Sequence, residues 1–153
     1  MKKLVLFISM FIMLNAGNIQ NLQNKCEKGD GVSCFYLGVA YDSGKGIKQD
    51  YFKARKYWEK ACELNVGVAC RNLGILYENG EGVKQDYFKA RKYWEKGCEL
   101  NYGGACYNLG ILYYKGDGVR QNYSKAKEYF RIACDLGEQI GCRNYAILNK
   151  QGY

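Results

Sequence analysis

The chain has 153 residues, 48% of them hydrophobic, with 23 basic and 15 acidic residues for a formal charge of +8. That length allows one compact domain or a short repeat array and excludes two large cores. Histidine and proline are absent, and threonine does not occur, so no Ser-His-Asp or histidine-based metal chemistry is available.

The opening MKKLVLFISMFIMLNAG has two lysines, an apolar run and small residues near Ala16 and Gly17, the form of a secretory signal peptide over residues 1–16. Its apolar stretch, Leu4 to Leu14, is too short to span a bilayer as a helix. Loss of Lys2 and Lys3 would leave a charge of +6, spread along the chain without a basic arm. The expectation is an exported protein, secreted or periplasmic, that is not an integral membrane protein. Residues 17–33 are expected to form a partial repeat, with GNIQNLQNK as a worn helix contacting its neighbours through Ile19 and Leu22.

From Cys34 onward the chain repeats itself every 36 residues. Segments 34–69 and 70–105 match at 25 of 36 positions, a third copy spans 106–141, and 142–153 is a partial fourth. A period in the thirties with helical spacing predicts stacked pairs of helices. In the first helix of each unit Leu37, Gly38 and Tyr41 recur as Leu73, Gly74, Tyr77 and as Leu109, Gly110, Tyr113, on one face. A glycine held at one register inside a helix predicts close approach by the partner helix. The G-x-G-[IV] segment that follows ends the helix and turns the chain; it lacks the strand and further residues of a phosphate-binding loop. Asp50, Asp86 and Asn122 are placed to cap the second helix. Its apolar stripe is Ala54, Tyr57, Trp58, Ala61, then Ala90, Tyr93, Trp94, Gly97, then Ala126, Tyr129, Phe130, Ala133. Helical register makes these aromatics core rather than a stacking platform. Lys53, Lys56 and Lys60 fall off that stripe, towards solvent.

The eight cysteines form four pairs at one separation: Cys26 and Cys34, Cys62 and Cys70, Cys98 and Cys106, Cys134 and Cys142. Each pair brackets the link from a second helix to the next first helix, and the translational symmetry selects this connectivity. Zinc prefers C-x-x-C or mixed Cys/His sets, so disulfides are expected, with no metal and no cofactor.

The combination L-G-x-x-Y, G-x-G-V, D-Y-x-K-A and Y-x-x-K-A-C-E-L, with a second cysteine eight positions after the first, resembles the Sel-one-like repeats, which are related to tetratricopeptide repeats. The cysteine pair at every junction is similar to the secreted Helicobacter cysteine-rich proteins. The match covers nearly all of residues 26–148. It implies an all-α, disulfide-bridged α-solenoid of helix-turn-helix repeats that mediates protein contacts, host contacts among them. It also implies, as an alternative, penicillin binding with weak beta-lactamase activity, and so a beta-lactam or cell-wall fragment as ligand. Ser124-Lys125-Ala126-Lys127 superficially fits Ser-x-x-Lys, yet Ser124 takes the place of Phe52 and Phe88, and Lys125 that of Lys53 and Lys89. Ser33 reads as a helix cap before Cys34 and Ser43 as a turn residue, so no catalytic residue is assigned.

By resemblance to tetratricopeptide grooves, the first helices carry the binding face. The two positions after the repeat cysteine read Phe35-Tyr36, Arg71-Asn72, Tyr107-Asn108 and Arg143-Asn144. Amides can pair with an extended peptide backbone and arginine can hold a carboxylate, which makes Arg71, Asn72, Asn108, Arg143 and Asn144 the candidate peptide site. The competing readings are that the asparagines satisfy helix ends and that the arginines lie on a solvated surface. A protein or peptide partner is expected, with no specific nucleic-acid partner, and a monomer is the simpler assembly.

Overall fold

The structure, a computed structural model, describes residues 16–153. The expected signal segment lies outside the described residues, apart from Ala16, where the first helix opens. Among the described residues eight helices follow in order: α1 (Ala16–Glu27), α2 (Gly31–Ser43), α3 (Tyr51–Glu63), α4 (Gly67–Asn79), α5 (Tyr87–Glu99), α6 (Gly103–Lys115), α7 (Tyr123–Asp135) and α8 (Gln139–Lys150). They fall into two units, one ending at Leu64 and the other running from Asn65 to Tyr153. In the first unit α2 packs on α1 and α3. In the second, consecutive helices from α4 to α8 pack in pairs, and α4 also meets α6. This is an all-α, disulfide-stabilised array of helix-turn-helix repeats.

Local chemistry sets the helix ends where the repeat demands. Asp50, Asp86 and Asn122 each accept from the backbone N–H three residues on, at 3.0, 3.0 and 2.9 Å, and so start α3, α5 and α7. Gly44, Gly80 and Gly116 close α2, α4 and α6 in the left-handed region, at φ 64°, 71° and 78°. Within the turns between helices, Gln49, Gln85 and Gln121 donate back to the carbonyls of Asp42, Glu78 and Tyr114. Ser33 is not the cap of α2. Asp30 is the N-cap, accepting from Val32 N, and the Ser33 hydroxyl donates to the Asp30 carboxylate, which lowers that group's pKa. Ser43 ends α2 and accepts from Lys45 N in the turn.

The repeated glycine of the first helix is a seat for an aromatic ring. A Cβ on Gly38 would fall inside the indole of Trp58, one on Gly74 inside that of Trp94, and one on Gly110 against the ring of Phe130. Trp58 and Trp94 also donate through Nε1 to the carbonyls of Phe35 and Arg71, at 3.2 and 3.1 Å. Around each seat Leu37, Leu73 and Leu109 are fully buried, with Ala54, Ala90 and Ala126 opposite. Tyrosines stack beside it as Tyr41–Tyr57, Tyr77–Tyr93 and Tyr113–Tyr129, their centroids 5.6 to 5.7 Å apart.

Disulfides join Cys26 to Cys34, Cys98 to Cys106 and Cys134 to Cys142, with Cα atoms 4.5 to 4.8 Å apart. Cys62 and Cys70 are also disulfide-bonded, and the described residues contain no free thiol. Each of the three bridges ties a second helix to the first helix after it.

Candidate functional site

The five residues singled out from the sequence all lie in the second unit, on its first helices: Arg71 and Asn72 on α4, Asn108 on α6, Arg143 and Asn144 on α8. The repeat places them at two adjacent registers, the arginines first and the asparagines second after the buried or half-buried cysteine. Their environments differ. Oriented to satisfy its neighbours, the Asn108 amide accepts from Trp94 Nε1 at 3.2 Å and donates to the Gly104 carbonyl at 3.3 Å. This side chain therefore holds α6 to the α5 indole. Asn144 is half-buried and donates to the Tyr107 hydroxyl at 3.5 Å, linking α8 to α6. Asn72 is half-buried.

The arginines divide as well. Arg143 is exposed, as a solvated residue would be. Arg71 is half-buried, and its Nε is enclosed with no hydrogen-bond partner. Gly104 makes this possible. It occupies the position of Val32, Val68 and Ile140, and a Cβ there would meet Arg71 Cδ and Nε at 3.2 and 3.3 Å and Tyr102 at 3.0 Å. An apolar side chain in the other copies is thus replaced by the stem of an arginine.

At the far end of the same unit, a small cavity of about 170 Å³ opens between α6, α7 and α8. Ile111, Tyr114, Phe130, Asn144, Ile147 and Leu148 line it. Ile147 and Tyr114 are exposed despite their size. On α8 the seat glycine is replaced by exposed Ala146 and the stacking tyrosine by exposed Asn149. Sequence reading missed Tyr107, Gly104 and this apolar pocket, since each depends on which helices become neighbours.

Nothing in the described residues assembles a hydrolytic centre. Ser124 is exposed on the first turn of α7, while the Lys125 ammonium sits 4.8 Å from the centroid of Tyr113. No cluster of three or more His, Cys, Asp or Glu residues that could hold a metal occurs among the described residues. Nor is any helix among them long and apolar enough to cross a membrane.

Helix pairs with an aromatic seated on a glycine, a glycine-capped turn and sulfur bridges between successive pairs define a repeat protein of the tetratricopeptide-like class. The Sel1 repeat profile matches residues 31–66, 67–102 and 104–138, and the chain belongs to this family. Among solved structures it is similar to the cysteine-rich protein B of Helicobacter pylori, with 40% identity, a TM-score of 0.66 and coverage of 81% of this chain and 89% of that one. A Sel1 repeat protein from Oxalobacter formigenes shows 27% identity, a TM-score of 0.76 and coverage of 84% and 97%. A protective antigen of uropathogenic Escherichia coli strains shows 29% identity and a TM-score of 0.79 over 86% of this chain, which spans only 28% of that antigen. No curated protein matches the chain. Arrays of this kind serve generally as protein-interaction scaffolds.

Proposed function

We propose that the protein is an exported scaffold that captures a peptide or protein segment on the first-helix face of its second unit, with envelope or host proteins as the source of that segment. The observation that carries this reading is the Arg71 donor enclosed against Gly104 and left without a partner. An enclosed N–H that finds no acceptor costs on the order of 1–3 kcal/mol, which favours a shift of the guanidinium outward to meet a ligand carboxylate. Arg71 is thus the anchor. Asn144 and the apolar pocket beside it offer a second contact further along the face, and Arg143 and Asn72 complete the polar row. Asn108 supports the site by fixing α6. Export is supported by the bridged cysteines, which persist in oxidising compartments. The beta-lactam alternative has no assembled nucleophile in its favour.

The test is peptide-display selection on the oxidised protein, followed by titration of selected ligands. Arg71→Gln is expected to weaken binding at least tenfold and Arg143→Gln to change it less than threefold. Asn108→Ala is expected to lower the melting temperature. Selected ligands that bind the Arg71→Gln protein unchanged would remove this face as the site.

A further inference from the structure

A second surface lies in the first unit, away from the residues just described. Gln23 of α1, Tyr41 of α2 and Phe52, Lys53, Lys56, Tyr57 and Lys60 of α3 enclose an open groove of about 480 Å³. Its floor is the stacked pair Tyr41–Tyr57. Phe52 is 53% exposed, with the Arg55 guanidinium and the Lys56 ammonium each 5.1 Å from its centroid. Lys53 stands 5.1 Å over the Tyr41 ring. Three lysines and no carboxylate line the groove.

The molecule contains its own control. Shifted by two repeats, the same seven positions are Glu95, Tyr113, Ser124, Lys125, Glu128, Tyr129 and Ile132, on α5, α6 and α7 of the second unit. The tyrosine floor is kept, with Tyr113 stacked on Tyr129 at 5.7 Å. The apolar ring is gone, and one lysine now faces two glutamates. Both carboxylates act on that floor: the Tyr129 phenol is pushed up by burial first, then by Tyr113, Glu95 and Glu128. Packing alone therefore does not require the basic set. Even the wall is altered, since Gln23 stands where α3 and α5 carry Glu59 and Glu95 paired to an arginine.

We propose that the α1–α2–α3 groove binds an acidic linear peptide carrying an apolar side chain among its carboxylates. Lys53, Lys56 and Lys60 are spread over seven residues of one helix face, roughly 10 Å at the α-helical rise. A single phosphate or headgroup would call for cations converging on a point. This row instead matches about three steps of extended chain at 3.3 Å each, a span that holds two carboxylates on alternate positions. Phe52 and the tyrosine pair receive the apolar side chain, and the lysines pair with the acids around it.

The probe is a fluorescein-labelled dodecapeptide of Asp and Glu with one central Phe, titrated by anisotropy against the oxidised full chain. The groove variant Phe52→Ser/Lys56→Glu/Lys60→Ile installs residues that the third repeat already carries at these positions, so the helix pairing tolerates them. Saturable binding that weakens with salt, and at least tenfold loss in this variant, are expected. The reciprocal variant Glu95→Gln/Ser124→Phe/Glu128→Lys/Ile132→Lys is expected to add one peptide to the stoichiometry of the parent. Binding within twofold of the parent after the groove substitutions would overturn the proposal, as would equal binding of the peptide with Asn and Gln for its acids. Dextran sulfate, single-stranded DNA or phosphatidylserine vesicles that bind in preference to the peptide would overturn it too, assigning the groove to another polyanion. None of these positions overlaps the Arg71 face, so either reading can fail without the other.

Discussion

The groove over α2 and the equivalent face over α6 share a backbone plan, a glycine seat and a stacked tyrosine pair, yet present opposite chemistry. Seven equivalent positions hold three lysines and an exposed phenylalanine in one, and a lysine, two glutamates and a serine in the other. What differs lies outside the buried set: Ala54 and Ala126 are fully enclosed, and Trp58 and Phe130 nearly so. In such arrays the residues that seat one helix on the next leave the rim free to change, so two repeats can be the same structure and different surfaces.

The most disruptive way to break the comparison is through sulfur. Cys26–Cys34 holds α1, the wall bearing Gln23, against α2, and Cys98–Cys106 is its counterpart between α5 and α6. Replacing either pair by serine is expected to cost about 2–3 kcal/mol in urea unfolding on the chain-entropy account of so short a loop. The Cys26→Ser/Cys34→Ser protein should in addition lose the acidic peptide, whereas the other should keep it.

Next in size are the seats. Gly38→Ala drives a methyl into Trp58 and Gly110→Ala into Phe130. Each is expected to destabilise by about 1–3 kcal/mol in thermal melts, as overpacking does. The loss should be greater at Gly38, because displacing Trp58 also breaks its bond to the Phe35 carbonyl.

The smallest effect sharpens the electrostatic contrast. Because the Tyr129 phenol is raised above its ordinary value near 10, its contribution to stability is complete below that pH and is lost as pH rises through the folded value. Ultraviolet titration of the parent against Tyr129→Phe should reveal one late-ionising phenol. Glu95→Gln/Glu128→Gln should bring it down, though burial keeps it above the ordinary range.

Much of this architecture can be read directly from the residues. The caps Asp50, Asp86 and Asn122, the turn glycines and three of the cysteine pairings depend on spacings of a few residues, which local geometry determines. Ile19 was expected as a contact of the worn first helix and is buried in α1. Misplacement of the α2 cap has an equally local cause, since Asp30 and Ser33 both carry side-chain acceptors and the helix begins one turn earlier than the cysteine suggests. The surfaces were another matter. Whether Arg71 is solvated depends on the absence of a side chain at Gly104, more than thirty residues away. The basic groove needs Gln23 and Lys60 on adjacent walls, and the period says nothing of what a particular copy does with its rim. Asn108, read from sequence as either ligand contact or packing residue, is engaged by an indole that only the folded helix pair brings to it.

Both tryptophans of the chain sit on glycine seats, Trp58 in the first unit and Trp94 in the second. Each half of the molecule thus carries a single tryptophan, which can be excited apart from the tyrosines, sheltered from water and sensitive to the departure of its own helix pair. Trp58→Phe or Trp94→Phe, a replacement the third repeat already shows to be acceptable, would leave an optical signal from one half alone. Whether the halves melt together or in sequence then becomes a question for emission spectra, without any added label.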